Sequence, residues 1–170
     1  RSESLENAYR LQTVVFDKTG TLTRGEPAVT DIVPAAGATP EEVLRVALAI
    51  EAVSEHPLAR AVLVKGEQAG LRAEPVEKFA AVSGLGAKAL LGGRPCLLGN
   101  GRFLEGEGIA LDPLAAEAAR LAAEGKTVVF VAREERAIGL LGFSDLPKPS
   151  AREAVTSLKG MGLKVAMITG

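Results

Sequence analysis

Apolar and polar positions follow two periods along this chain, and each change of period marks an element. Thr13-Val14-Val15-Phe16 is a short, largely β-branched apolar run, the pattern of a buried parallel strand. Residues 29–33 form a second short strand candidate, set off by Gly25-Glu26-Pro27, which reads as a turn and hinge. From Thr39 the period becomes helical. Thr39 is the N-cap, Pro40 takes the first helical position, and Glu41 and Glu42 occupy the first turn. Val43, Leu44, Ala47, Leu48 and Ile50 make the apolar face, which runs up to Glu51. Ser54-Glu55-His56-Pro57 interrupts this helix and opens another over 58–69, ended by Gly70. The two-residue period then returns, with a strand over 76–82, a tight turn at Ser83-Gly84-Leu85-Gly86, and a hairpin of 87–91 with 95–98 closed by Gly92-Gly93-Arg94. Gly99-Asn100-Gly101 leads into a short helix, and Asp112-Pro113 starts a helix over 112–124 that Gly125 ends. A second hairpin pairs 127–132 with 137–143. Asp145-Leu146-Pro147-Lys148-Pro149 reads as a rigid crossing, Ser150 as the cap of a helix ending near Gly160 or Gly162, and 164–168 as the last strand. Residues 1–10 read as a short helix or linker.

The order of these elements predicts an α/β fold. A strand with its loop stands at one end of the chain and a helix with its strand at the other, the framework of a doubly wound parallel domain. The stretch between them is hairpins and helix pairs. It predicts an inserted α+β domain, an antiparallel sheet flanked by helices, over 27–143, with the framework split into 1–26 and a truncated 144–170.

Composition narrows the function classes. The 170 residues are 47% hydrophobic and 24% charged, with a formal net charge of −1. That balance is ordinary for a globular domain, supplies no basic field for nucleic acid or an anionic membrane, and comes with no nucleic-acid-binding motif. A single cysteine, Cys96, forbids an internal disulfide and fits a reducing compartment. It lies in an apolar strand and reads as a small core residue. No apolar run reaches the ~18–20 residues that span a bilayer, so no direct membrane insertion is expected. The chain begins without Met and stops after Thr169-Gly170, which reads as an excised piece of a longer protein.

The candidate chemistry starts at Asp17. The apolar run 13–16 delivers this carboxylate to the C-terminal tip of a strand, where open α/β sheets bind ligands. A carboxylate so placed can attack phosphorus and form an acyl phosphate. The Gly/Thr loop that follows can hold phosphoryl oxygens with its N–H groups and hydroxyls. The whole run Asp17-Lys18-Thr19-Gly20-Thr21-Leu22-Thr23 resembles the phosphorylation motif of P-type ATPases, ion pumps that pass through an aspartyl phosphate. The resemblance implies a haloacid-dehalogenase-like phosphorylation domain, with ATP as phosphoryl donor and Mg²⁺ as its ion. Asp17 would be the nucleophile and, with the Thr19 carbonyl, a ligand of that ion. Lys18 would moderate local charge. Thr169 and Gly170 resemble the start of the family's second phosphate-holding loop. Asp145 matches a position beside the phosphorylation site, although Pro147 departs from the usual arrangement there. Related phosphatases carry a second Asp where this chain has Thr19, and threonine cannot act as their general acid/base at neutral pH. A long-lived phosphoenzyme is the expected consequence.

Ser54-Glu55-His56-Pro57-Leu58-Ala59 resembles the Ser-Glu-His-Pro-Leu element of heavy-metal-transporting P-type ATPases. His56, the single histidine, has no neighbouring His or Cys at metal-ligand spacing. Its imidazole can instead stack on a purine or donate to its edge. The resemblance further implies that Glu51 contacts the adenine amino group, and that Gly84 and Gly86, followed by Gly99 and Asn100, line the nucleotide. Glycines there would let backbone approach ribose and phosphates. A plain hairpin turn at Gly84–Gly86 and an exposed helix acid at Glu51 are the competing readings. No Walker loop or dinucleotide fingerprint occurs.

Taken together, the resemblance implies the nucleotide-binding and phosphorylation region of a heavy-metal pump, with Cu⁺ as the expected cargo. The fragment would lie on the cytoplasmic face of a membrane. Its partners would be nucleotide and the transmembrane, actuator and metal-binding domains of the same pump. On its own it is expected to bind ATP at micromolar to millimolar concentration, on the order of −4 to −8 kcal/mol, and to phosphorylate poorly. Two other readings stand beside it: a soluble phosphatase of the haloacid dehalogenase superfamily with a cap domain, and a non-catalytic nucleotide-sensing module.

Overall fold

The computed structural model describes residues 12–17, 23–147 and 149–168. The chain divides into two units, Ala28–Ser144 and the described residues of Arg1–Pro27 with Asp145–Gly170.

The larger unit is built on a six-stranded sheet: β2 (Thr23–Pro34), β3 (Val76–Val82), β4 (Gly86–Leu91), β5 (Arg94–Gly99), β6 (Thr127–Arg133) and β7 (Arg136–Pro147), in the order β2-β7-β6-β5-β4-β3. The pairs β3/β4, β4/β5, β5/β6 and β6/β7 are antiparallel. Gly92 and Gly93 both have positive φ (58° and 77°), the conformation a two-residue hairpin turn needs, so β4 and β5 close tightly. Helices α1 (Pro40–Glu51) and α2 (Ala59–Gln68) bury one apolar cluster against the sheet. Helices α3 (Gly101–Gly106) and α4 (Ala115–Ala123), with a 3-10 turn over Asp112–Leu114, bury another.

Strand periodicity assigns residues to these two clusters. Cys96 and Leu98 enter the α1/α2 cluster and Leu97 the other; Val129 and Val131 enter the first and Phe130 and Ala132 the second. With both faces covered, β5 and β6 read as continuous apolar runs although their pairing is antiparallel. Cys96 has 0% exposure, as a core cysteine should.

Helix α1 starts as its sequence dictates. Thr39 accepts from the Glu42 backbone N–H at 3.2 Å, and the Thr39 N–H donates to the Glu42 carboxylate at 2.9 Å, a reciprocal capping box with Pro40 behind it. Its neighbour α2 approaches closely because Gly66 carries no side chain: a Cβ there would lie 2.8 Å from both methyl carbons of buried Leu48.

The smaller unit contains β1 (Thr13–Asp17), β8 (Lys164–Ile168) and α5 (Pro149–Gly160). β1 and β8 pair in parallel, with Thr13 opposite Lys164 and Asp17 opposite Ile168.

Four local expectations need correction. β1 is not a buried strand: with β8 as its one paired neighbour among the described residues, Val15 remains 52% exposed. Gly25-Glu26-Pro27 does not break the chain. It lies inside β2, where Gly25 absorbs a positive φ of 70° and Pro27 sits on an edge strand that can spare a ladder N–H. Asp145 to Pro147 is the end of β7 rather than a separate crossing, because a residue before proline, here Leu146, favours extended backbone. Ser150 lies within α5, not at its cap, since Pro149 is the first helical residue. The expected helix or linker over 1–10 falls outside the described residues.

Candidate functional site

Asp17 is the last residue of β1 and is exposed. Its register partner Ile168 is the last residue of β8, so both strands end side by side. A parallel pair gathers the loops that follow its strands at one edge, which is where phosphate-holding loops act in such sheets. Lys18, Thr19, Thr169 and Gly170 lie outside the described residues. Asp145 is half-buried near the end of β7.

Glu51 ends α1 and is 2% exposed, the one charged or polar side chain buried among the described residues. The helix positions Val43, Leu44 and Val46–Ile50 are buried too, so Glu51 ends a helix whose last turns are enclosed in the core. Burial pushes the Glu51 carboxyl up to about 7, against the opposing pull of a hydrogen bond from the Ser54 side chain. Its Oε2 has no hydrogen-bond partner among the described residues. A buried oxygen left in that state costs on the order of 1–3 kcal/mol, which a ligand donor would recover.

The loop after α1 turns back through Ser54. The Ser54 N–H donates to the Glu51 carbonyl at 3.1 Å, and the Ser54 Oγ accepts from the His56 N–H at 3.1 Å. His56 is exposed, and its Nδ1 accepts from the Leu58 N–H at 3.1 Å. That bond assigns the proton of the neutral ring to Nε2, leaving a donor to face a ligand. Ser54 is a participant that sequence reasoning missed, although it stands inside the recognised motif.

The glycines form a second group, and each is glycine for a separate physical reason. Gly84 sits in the β3–β4 turn with φ of +73°. Gly86 faces Gly99 across the β4/β5 ladder. A Cβ on Gly86 would overlap the Leu98 carbonyl oxygen and lie 2.7 Å from Phe103; one on Gly99 would lie 2.5 Å from the Leu85 carbonyl oxygen. Asn100 binds the group together. Its Oδ1 caps α3 by accepting from the Phe103 N–H at 2.9 Å, its Nδ2 donates to the Gly84 carbonyl at 3.1 Å, and its N–H donates to the Leu85 carbonyl at 2.9 Å. These bonds fix the Gly84 turn as a rigid backbone wall.

The two groups belong to the same unit, Ala28–Ser144. Glu42, near the start of α1, and Leu90 and Arg94, at the β4–β5 turn, line a common groove of about 990 Å³. That groove itself is charged, and two of its cations meet its own acids: Lys88 pairs with Glu107 at 3.6 Å and Arg94 with Glu134 at 3.4 Å. Among the described residues no cluster of three or more His, Cys, Asp or Glu side chains is arranged for a metal ion.

Comparisons place this geometry in a lineage. Residues 11–170 match the model of the haloacid dehalogenase-like hydrolases. A copper-exporting P-type ATPase of Bacillus subtilis is 40% identical over 168 residues, covering 99% of this chain and 21% of that protein. A zinc-transporting PIB-type ATPase solved by crystallography is 34% identical with a TM-score of 0.84, covering 96% of this chain and 26% of that one. The catalytic domain of the CPx-ATPase CopB-B, solved in a study of its conformational changes upon nucleotide binding, is 25% identical with a TM-score of 0.66, covering 99% and 58%. The chain spans about a fifth of the length of the curated relatives it matches (22% of the first). It belongs to the haloacid dehalogenase-like hydrolases and is homologous, over essentially its whole length, to a segment of the copper-exporting P-type ATPases.

Proposed function

We propose that this chain is the ATP-binding and phosphorylation region of a heavy-metal-transporting P-type ATPase, with copper as cargo, working at the cytoplasmic face of a membrane. The observation that carries the reading is the pairing of Asp17 with Ile168 at the shared tip of two parallel strands. It sets a carboxylate at the ligand edge, beside the point from which residues 169–170 continue.

In the reaction, a carboxylate oxygen of Asp17 attacks the γ-phosphorus of ATP in line. The bond from that phosphorus to the β–γ bridging oxygen breaks, ADP leaves, and Asp17 carries an acyl phosphate. Water later attacks the phosphorus, releasing phosphate and restoring the carboxylate. Thr169 and Gly170 hold phosphoryl oxygens, Lys18 moderates charge, and Asp145 lies beside the phosphorylated residue. Glu51 and His56 hold the base, against the wall made by Gly84, Gly86, Gly99 and Asn100. The unpartnered Glu51 Oε2 supports an amine donor there.

Asp17 fits Mg²⁺: it is an exposed hard oxygen donor at the strand tip, and this ion needs one or two carboxylates with phosphate and water rather than a protein cage. Asp17 and the Thr19 carbonyl would hold it, and it would supply charge neutralisation between nucleophile and phosphate. No described helix is long and apolar enough to cross a membrane, so the ion-selecting groups are assigned to other parts of the same pump. Copper is supported by the sequence relatives, which include copper-transporting and copper-exporting ATPases.

Labelling the parent pump with γ-phosphate-labelled ATP tests the reading. The expected product is an acid-stable, hydroxylamine-sensitive label that is absent from Asp17→Asn. Label that resists hydroxylamine, or that persists in Asp17→Asn, contradicts it.

A further inference from the structure

Sheet register sets a row of residues across the larger unit, none of them assigned above to the nucleotide. Arg133 on β6 stands opposite Cys96 on β5, and Cys96 opposite Ala89 on β4. On β3 the ladder slips. Glu77 is opposite Leu90 and Ala80 opposite Lys88, so Lys78 and Phe79 share the one position facing Ala89. Two residues against one make a β-bulge, a device that re-aims a side chain. Lys78 absorbs it with a φ of 51°. Glycine would adopt that conformation without strain. A lysine there is strained, and such strain gathers at sites that use the side chain. Lys78, Ala89, Cys96 and Arg133 all line the groove of about 990 Å³.

The row ends in two cations. Ala89 and Cys96, both buried, put no long side chain between them. The other cations of the groove are engaged: Lys88 with Glu107, Arg94 with Glu134, and Arg136 with the Ala36 carbonyl at 2.6 Å. The Glu42 carboxylate is held by the Thr39 N–H. Lys78 and Arg133 make no ion pair among the described residues, and Glu135 is the one lining acid left to oppose them. They stand three strand spacings apart across β6, β5, β4 and β3, roughly 14 Å at the backbone. An extended chain rises ~3.4 Å per residue and alternates its side chains, so acidic residues four positions apart present carboxylates on one face at about that same spacing.

We propose that this groove docks an extended acidic segment of a partner polypeptide, with two of its carboxylates seated on Lys78 and Arg133. The inference is independent of how nucleotide is held. Lys78 and Arg133 supply the charge, and the spacing between them selects segments by the separation of their acids.

Titrating synthetic peptides into the whole 170-residue chain, with backbone amide shifts followed by NMR, tests the proposal. The probe is a short Thr/Val peptide carrying two aspartates four positions apart. One control sets the aspartates side by side, and another replaces both by asparagine. The probe should give saturable shifts at Lys78, Ala89, Cys96 and Arg133. It should bind about threefold more tightly than the side-by-side control, and the asparagine peptide should not bind. Lys78→Gln and Arg133→Gln should each weaken the probe about threefold, while Lys78→Arg leaves it unchanged. Lys78→Gly relaxes the left-handed backbone, so it should lose affinity as Lys78→Gln does while matching or exceeding the parent in urea midpoint; loss of charge is thereby separated from loss of fold. The proposal is overturned if the probe does not bind, if the spacing of the aspartates makes no difference, or if Lys78→Gly or Arg133→Gln binds as the parent does. Inorganic phosphate that moves the same amides as strongly as the probe would make this a small-anion site and overturn it. Shifts at these residues that grow with protein concentration alone would assign the face to a second copy of the chain and overturn it too.

Discussion

At the scale of single residues, Glu51 is the point of tension in the molecule. An ordinary glutamate would be charged throughout the neutral range, yet this one sits buried at the end of α1 with one oxygen unpartnered among the described residues. Its folded-state value is raised from 4.5 to about 7. The native state therefore binds more protons than the unfolded chain between those values, and stability falls as pH rises through that window. The stabilising contribution is fully present below 4.5 and fully lost above about 7. A tenfold change in proton affinity is worth about 1.4 kcal/mol, so the loss is on the order of 3 kcal/mol at most. Glu51→Gln removes the titration while keeping the shape. Denaturation midpoints at pH 4 and pH 8 should show parent and variant nearly equal at the lower pH and the variant more stable at the higher. Equal stability at pH 8 would mean that the carboxyl is solvated in the native state. None of this was legible in the sequence. Helical periodicity places Glu51 at the margin of the apolar face, and only the packing of α1 against α2 and the sheet decides that it is buried.

At the scale of elements, the glycines separate two kinds of requirement. Gly84 needs a left-handed backbone but has open space around its missing side chain, so Gly84→Ala meets conformational strain of ~1–2 kcal/mol. Gly86 has no positive φ, but a Cβ there strikes backbone atoms of β5 and the ring of Phe103. Backbone cannot rotate aside as a side chain can. Gly86→Ala should therefore destabilise by about 3 kcal/mol or more, clearly beyond Gly84→Ala, in urea midpoints measured side by side. The reverse order would show that the β4–β5 ends open easily. The same contrast explains what could be read in advance. Signals confined to a few neighbours, such as Thr39-Pro40-Glu41-Glu42 or the Gly92-Gly93 turn, placed α1 and the β4–β5 hairpin correctly. Gly25-Glu26-Pro27 was misread because a proline looks like a break unless its strand is known to be an edge. The reason for glycine at 86 is a partner 13 positions away, Gly99, which no local pattern contains.

At the scale of the whole chain, the residues of interest fall in two units. The unit Ala28–Ser144 holds its own sheet, two apolar clusters and the Glu51–His56 and Gly84–Asn100 groups. The parallel strands that present Asp17 belong to the other unit. The α/β class and the antiparallel middle flanked by helices were readable because the period changes from helical to two-residue and back along the chain. The assignment of Lys18, Thr19, Thr169 and Gly170 to a phosphorylation site rests on the resemblance alone, since they lie outside the described residues. In the proposed function, nucleotide is gripped through its base by Glu51 and His56 of the larger unit. Titrating ATP into the chain while following the His56 imidazole and the Ser54, Gly84 and Gly86 amides probes that grip. Saturable shifts concentrated at these positions are expected, with the groove residues Glu42, Leu90 and Arg94 unmoved. Shifts centred on that groove, or none at saturating ATP, would rule it out.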